Sequence, residues 1–382
     1  MDNKGYYKKA GICFIVMVAA IVLLSLFSKD RSFSDTENRA LQQFPGFSIS
    51  QYMEGRFEKR MESYADDQFP GRDLFVKIKS AADVTAGGLE ANGVYKGRDG
   101  YLIEDVTKPD RKSLSRTEKA LADFKARHSN VDMYFLLAPT AGNIMSDKLP
   151  RSVRVADQDA YMDQFFKSVQ AGGINTIDVR SELRKAADKG TQVYYRTDHH
   201  WTTTGAYLAY QKAAPTMGLT PRKYRKAVVS KDFRGTLASK SGFSNGKNDA
   251  ISLYLPDYDG YKQSVIFYDD TQTRTTKFYR FGNLKKKDQY TVFGGSNHPK
   301  YTIKTPVESK ERLLIVKDSY ANCFIPFLTQ DYFEIVVVDP RYYFENIDDL
   351  MDSEGITKVL FLYNSDTFFG DDSLALALEQ VE

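Results

Sequence analysis

The chain has 382 residues, 42% hydrophobic and 27% charged, which is enough apolar material for at least one sizeable core. Its 53 Lys and Arg nearly balance 50 Asp and Glu, and the resulting net charge of +3 leaves no electrostatic footprint for nucleic acid. The only cysteines are Cys13, inside an apolar run, and Cys323, so a disulfide framework and a structural zinc site are both excluded.

Residues 10–27 (AGICFIVMVAAIVLLSLF) carry no charge. As a helix they span about 27 Å, close to a hydrocarbon core of about 30 Å. Lys4, Lys8 and Lys9 precede them, which by the positive-inside bias puts the N-terminus in the cytoplasm, and Tyr6 and Tyr7 suit an interfacial position. The competing reading is a cleaved signal peptide. Its apolar region is normally shorter, and no convincing small-x-small cleavage site follows Phe27. In both readings the chain from about Ser28 onward is expected outside the cytoplasm. The expected organisation is a cytoplasmic tip with a signal-anchor transmembrane helix (1–30), a helical stalk (31–85) and an α/β catalytic domain (86–382).

In the stalk, Ser34, Asp35 and Thr36 are placed to cap a short helix that ends at Pro45-Gly46. Phe57, Met61 and Tyr64 then recur at helical spacing, and a Phe69-Pro70-Gly71-Arg72 turn starts a further helix. Residues 92–104 read as a hairpin, 113–128 as an amphipathic helix and 131–138 (VDMYFLLA) as a buried strand. A helix over 161–171 and a short strand over 175–179 follow. Strands alternating with helices of this length indicate a parallel sheet flanked by helices. Residues 240–300, rich in Gly, Asn, Lys and Tyr, break the rhythm and read as a β-rich insertion. The rhythm resumes with RLLIV (312–316), a turn, an apolar helix from about Tyr320, and strands at 334–339 and 358–364.

Two segments carry candidate chemistry. One is Thr197-Asp198-His199-His200-Trp201, which holds two of the 4 histidines and the single tryptophan. The other is Lys317-Asp318-Ser319-Tyr320, where a buried strand runs into a turn. A serine there projects from the C-terminal edge of the sheet, where open α/β folds place their sites. A following helix would aim the Ser319 and Tyr320 N–H groups at a developing oxyanion. A helix cap explains the same serine. In an extended loop residues i and i+2 share a side, so Asp198 can orient His200 while His199 points away into packing or towards substrate. For His200, catalysis and a buried structural histidine both fit.

The sequence resembles the DHHW family, which is similar to the SGNH-like alginate O-acetyltransferases. The resemblance runs through Thr197-Asp198-His199-His200-Trp201 with Gly205-Ala206, and through Glu37-Asn38-Arg39, residues 64–72 (YADDQFPGR), 97–102 (GRDGYL) and 139–150. It continues in Phe233-Arg234-Gly235-Thr236-Leu237 and Lys317-Asp318-Ser319-Tyr320. It implies an SGNH-hydrolase-like fold with Asp198 and His200 as the Asp-x-His pair and Ser319 as nucleophile. The order Asp, His, Ser is the reverse of ordinary SGNH esterases. Gly294-Gly295 and Asn364 are the candidates for the family's oxyanion glycine and asparagine, and Trp201 and His199 for substrate contact. The implied reaction acetylates Ser319 and then a sugar hydroxyl of a polysaccharide, with a membrane-bound O-acyltransferase as acetyl source. A carbohydrate esterase with the same triad and a non-catalytic scaffold of an acyltransferase complex are the alternatives. An adjacent Asp-His-His also invites a metal reading, as in DHH phosphoesterases. The separate acidic motifs that those need are missing, and His128 and His298 make no obvious third ligand, so neither metal nor cofactor is expected.

Overall fold

The computed structural model describes residues 3–31, 33–34, 39–47, 49, 52, 56–243 and 246–379. The chain divides into two compact units, residues 1–92 with 239–243, and residues 93–238 with 244–382. In the first, α1 (Asn3–Phe27) is long and apolar enough over Tyr7–Ser25 to cross a membrane. The cap expected at Asp35 and Thr36 lies outside the described residues. Phe33–Ser34 and Arg39–Ala40, on either side, pair as a short antiparallel ladder. Helices α2 (Arg56–Asp67) and α3 (Arg72–Thr85) follow, joined through the Pro70-Gly71 turn, where Gly71 takes φ 75° at no steric cost.

The second unit begins with the hairpin β1 (Val94–Lys96) and β2 (Leu102–Glu104). Next come α4 (Arg111–Arg127), β3 (Asp132–Ala138), α5 (Gln158–Ala171), β4 (Asn175–Ile177), α6 (Arg180–Asp188) and α7 (Thr203–Thr216). Strands β5 (Tyr224–Phe233) and β6 (Asp249–Pro256) pair with each other. The remainder is β7 (Val265–Tyr268), β8 (Thr273–Thr275), β9 (Lys300–Lys304), β10 (Arg312–Lys317), β11 (Glu334–Val338), α8 (Ile347–Ser353), β12 (Lys358–Asn364), α9 (Ser365–Gly370) and α10 (Ser373–Leu378).

One 8-stranded sheet runs in the order β8-β7-β9-β11-β10-β12-β3-β4. The strands from β11 to β4 are parallel, and β9, β7 and β8 extend that sheet antiparallel. Within segment 240–300, β7 and β8 are thus continuous with the main sheet, whereas β6 pairs with β5 apart from it. Because successive side chains face opposite ways, the apolar runs fill two cores at once. Leu313, Ile315, Leu360 and Leu362 pack on one face with Ala206, Ala209 and Tyr210 of α7. Leu314, Val316, Val359 and Phe361 pack on the other with Phe124, Phe165 and Leu350 from α4, α5 and α8.

The apolar stretch after Ser319 departs from the expected helix. It forms two short 3₁₀ turns, Ser319–Cys323 and Ile325–Leu328. Pro326 lacks the N–H that a continuing ladder needs, and Tyr320, Phe324 and Phe327 all turn into the core. No long helix dipole therefore faces the serine.

Candidate active site

Strands β10, β12 and β3 end in register, with Lys317 opposite Leu362 and Asn364 opposite Ala138. Ser319 follows at that C-terminal edge and is half-buried. Its turn is fixed by Asp318, whose carboxylate accepts the Tyr320 N–H on one oxygen and the Asn364 N–H on the other, both at 2.8 Å. Beneath it Lys317 is buried, with Nζ 3.0 Å from Asn322 Oδ1 and 3.4 Å from Asp339, and Arg341 also grips the Asp339 carboxylate. Burial pulls the Lys317 ammonium below its usual range, against the attraction of Asp339.

The loop leading to α7 brings the other partners. It closes as a narrow hairpin: Tyr194 bridges Trp201, and the Thr202 N–H donates to Val193 O at 2.8 Å. Asp249, fully buried on β6, accepts the N–H groups of Arg196 and Thr197 at 2.9 and 2.8 Å, the Thr197 hydroxyl at 2.6 Å and the Gln192 amide at 2.7 Å. That carboxylate satisfies backbone groups that a ladder would otherwise take. Thr202 then caps α7 by accepting the Gly205 N–H at 3.2 Å.

At the loop tip Asp198 is 3% exposed and His200 5%. Asp198 Oδ1 accepts His200 Nδ1–H at 2.6 Å and the His200 N–H at 3.0 Å. Its Oδ2 accepts the Thr236 N–H at 2.9 Å and the Thr236 hydroxyl at 2.7 Å. With Nδ1 donating, His200 Nε2 presents a lone pair, and it lies 2.8 Å from Ser319 Oγ. Burial alone would raise the Asp198 carboxyl, but the two histidines and the hydrogen bonds from His200 hold it well below the usual carboxylate range. Burial, reinforced by His199, pulls His200 down to about 4 despite the pull of Asp198. At neutral pH the pair is a charged carboxylate beneath a neutral imidazole, the state in which a histidine accepts a hydroxyl proton.

His199 does not point away. Its ring lies against His200 with centroids 3.9 Å apart, and Nδ1 meets the Thr236 hydroxyl at 2.7 Å. Since Thr236 donates to Asp198, it accepts from His199. The remaining candidates are corrected by their hydrogen bonds and burial. Trp201 is fully buried and donates to Tyr320 O at 3.0 Å, so it packs and touches no substrate. Tyr320 is buried, its hydroxyl donates to His199 O and its N–H is held by Asp318. The Gly295 N–H donates to Thr291 O at 3.1 Å, and Gly294 is engaged in the same way with Phe278 O at 3.2 Å. The Asn364 N–H is held by Asp318, and its side-chain oxygen caps α9 through the N–H groups of Asp366 and Thr367. The backbone N–H groups of Tyr320, Gly294, Gly295 and Asn364 are therefore engaged, whereas the Asn364 side-chain NH2 makes a single contact, 3.4 Å to Thr367 Oγ1. The Ser319 N–H meets no acceptor among the described residues.

Two contributors escaped sequence reasoning. Tyr290 stacks on His200 with centroids 3.7 Å apart and planes at 13°, and its hydroxyl reaches Ser319 O at 3.2 Å and Cys323 Sγ at 3.4 Å. Gly235 leaves room for Asp198: a Cβ there would overlap the carboxylate. The only signal for the second was its place in the Phe233–Leu237 segment. Asp198, His199 and His200 offer ligand atoms within 4.8 Å of one another, as a metal site would. However, Asp198 and His200 Nδ1 are already joined, and His200 Nε2 faces the serine, so the donors are arranged for proton transfer instead.

Residues 94–260 match the family described as an SGNH hydrolase-like domain, acetyltransferase AlgX, a span that includes Asp198 and His200 and stops short of Ser319. Among curated proteins the chain is similar to the probable alginate O-acetylase AlgJ of Pseudomonas aeruginosa, 28% identical over 181 residues (45% of this chain and 46% of the relative). The protein of the same name from Pseudomonas putida is 23% identical over 244 residues (62% and 61%). The chain thus spans about 46% to 61% of the length of these relatives. In structure it is similar to a DHHW family protein from Eubacterium siraeum, with TM-score 0.61 and 22% identity over 77% of this chain and 97% of that one. Bacillus cereus PatB1, solved with a sulfonyl adduct, is similar at TM-score 0.58 and 21% identity over 72% and 95%.

Proposed function

We propose, from the match of residues 94–260 to the SGNH hydrolase-like, AlgX acetyltransferase family, that the chain is an O-acetyltransferase acting on hydroxyls of an extracytoplasmic polysaccharide. The observation that carries this reading is the unbroken chain from Asp198 through His200 to Ser319, with links of 2.6 and 2.8 Å. Ser319 Oγ attacks the acetyl carbonyl as its proton passes to His200 Nε2, and Asp198 stabilises the imidazolium that forms. The tetrahedral intermediate collapses as His200 returns the proton to the departing donor group, leaving acetyl-Ser319. An acceptor sugar hydroxyl then gives its proton to His200 and attacks, and Ser319 leaves with that proton. The unengaged Ser319 N–H supports one oxyanion contact, while the backbone N–H groups named from sequence are taken.

Helix α1 serves in this reading as an uncleaved anchor, with the lysines before it in the cytoplasm and the chain from about Ser28 onward outside. The acetyl source is a membrane-bound O-acyltransferase in the same bilayer. The test is to incubate the full chain with an activated acetyl ester and follow Ser319 by mass spectrometry, with and without an oligosaccharide acceptor. The reading expects acetyl-Ser319 in the wild type, none in Ser319→Ala, and acetylated glycan when acceptor is present. Free acetate alone would make the protein an esterase, and equal behaviour of wild type and variant would make it a scaffold.

A further inference from the structure

The unit formed by residues 1–92 and 239–243 carries an apolar surface that the acetyl-transfer reading leaves unused. On α3, Leu74, Phe75 and Ile78 are 60%, 58% and 55% exposed, and their spacing puts them on one helical face. Phe44 and Phe47, equally exposed, rest edge-on against Tyr64 and Phe57 of α2 with ring centroids 5.3 Å apart. Single exposed apolar residues are ordinary on a protein surface, but a set on one face of one helix marks an interaction surface.

The chain itself limits where that surface can lie. Only Ser28, Lys29 and Asp30 separate the end of α1 at Phe27 from Arg31, a reach of roughly 14 Å when fully extended. Arg31 is fastened to the start of α3. Its N–H donates to Gln68 Oε1 at 3.0 Å, Gln68 Nε2 returns to Arg31 O at 3.0 Å, and its guanidinium grips Asp73 at 2.7 and 3.2 Å. On the other side Tyr64 of α2 donates to the Asp30 carboxylate at 3.0 Å. The start of α3 is thus tied to residues that cannot leave the surface of any bilayer that α1 crosses. Beside this tie lies a cleft of about 560 Å³ lined by Lys29, Arg31, Arg72 and Asp73, in which Arg31 is paired with Asp73 and Arg72 lies 3.8 Å from Asp67.

We propose that α3 lies in the interfacial zone of the extracytoplasmic leaflet, with Leu74, Phe75 and Ile78 among the upper acyl chains and Lys29 at the anionic phospholipid headgroups. An apolar helical face with a flanking cation is the combination that binds such an interface. The inference rests on the reading of Tyr7–Ser25 as a membrane span, and its test separates the two. The full chain, with Cys13→Ser and the buried Cys323 retained, is reconstituted in vesicles containing phosphatidylglycerol. An environment-sensitive fluorophore is then attached at Val18→Cys, Leu74→Cys, Ile78→Cys or Phe344→Cys. Spin-labelled lipids carrying the nitroxide near the headgroup should quench the labels at 74 and 78 at least threefold more than the one at 344. Lipids carrying it deep in the chain should quench the label at 18. Quenching at 74 and 78 no greater than at 344, with 18 quenched, overturns the inference and leaves the span standing. Labels at 74 and 78 shielded from both lipid nitroxide and aqueous iodide mean that protein covers the face, which also overturns it. An unquenched label at 18 removes the span and this inference together. Replacing Lys29→Glu should at least halve the quenching at 74. Unchanged quenching there refutes the headgroup contact.

Discussion

Replacing Asp198→Asn keeps the size of the side chain and removes one acceptor, and the geometry sets out what that costs. Each carboxylate oxygen faces a pair of donors, His200 Nδ1–H and N–H on one side and the Thr236 N–H and hydroxyl on the other. An amide offers one oxygen and one NH2. If its oxygen faces His200, the NH2 confronts the Thr236 N–H. If it is flipped, the NH2 confronts the His200 N–H, and the imidazole must accept at Nδ1, so its proton moves to Nε2 and points at Ser319. Both arrangements leave a buried backbone N–H unpaired, at about 1–3 kcal/mol. Both also remove the negative charge that stabilises the imidazolium. Loss of tautomer and charge in a serine triad lowers turnover by roughly 10⁴-fold, or about 5.4 kcal/mol of transition-state stabilisation. The assay is rapid-quench mass spectrometry of acetyl-Ser319 formation, with thermal unfolding run in parallel. A variant that unfolds within a few degrees of the wild type but acylates within tenfold of its rate would refute the triad assignment.

The pH dependence follows from the same pair. His200 must be neutral to take the serine proton, so acylation is lost as pH falls through its folded pKa, which burial pulls down to about 4. The acid limb of the rate profile is therefore expected well below the ordinary histidine value of about 6.5, and a midpoint at or above that value contradicts the buried, neutral imidazole. Gly235→Ala forces a methyl into the Asp198 carboxylate. It should lower stability by about 1–3 kcal/mol, as overpacking does, and slow acylation further than unfolding explains, measured by denaturant midpoint and acetyl-Ser319 rate. Chelation with EDTA should leave acylation unchanged, and loss restored by a divalent cation would assign Asp198, His199 and His200 to a metal instead.

The juxtaposition of Asp198, His200 and Ser319 was legible because its signals are local. Asp198 and His200 stand at i and i+2 in one loop, and β10 is a buried strand ending at a serine. The donors around the site were not legible, because their availability is decided by partners distant in sequence. The Tyr320 and Asn364 N–H groups looked free until the rotamer of Asp318 assigned one carboxylate oxygen to each. Tyr290 arrives from segment 240–300, which breaks the α/β rhythm, and no periodicity links it to His200. Trp201 drew notice as the single tryptophan, yet rarity carries no physical content, and the indole simply fills the core beneath the loop. The expected helix after Ser319 failed for a similar reason. An apolar run of that length satisfies helix and tight-turn readings alike, and Pro326 with the depth of the core decides between them.

The bridge that Asp318 makes between Tyr320 and Asn364 has a dynamic consequence. Its two oxygens join the nucleophile turn to the last residue of β12, which is itself hydrogen-bonded in register to β3. The turn cannot open without exposing a carboxylate buried at the centre of the sheet, so it has no low-energy opening of its own. Amide protons at Tyr320 and Asn364 should thus exchange with solvent together, and as slowly as those in the middle of β10. Ser319 belongs to the same cooperative folding unit as the sheet, and its position is lost only when the sheet is.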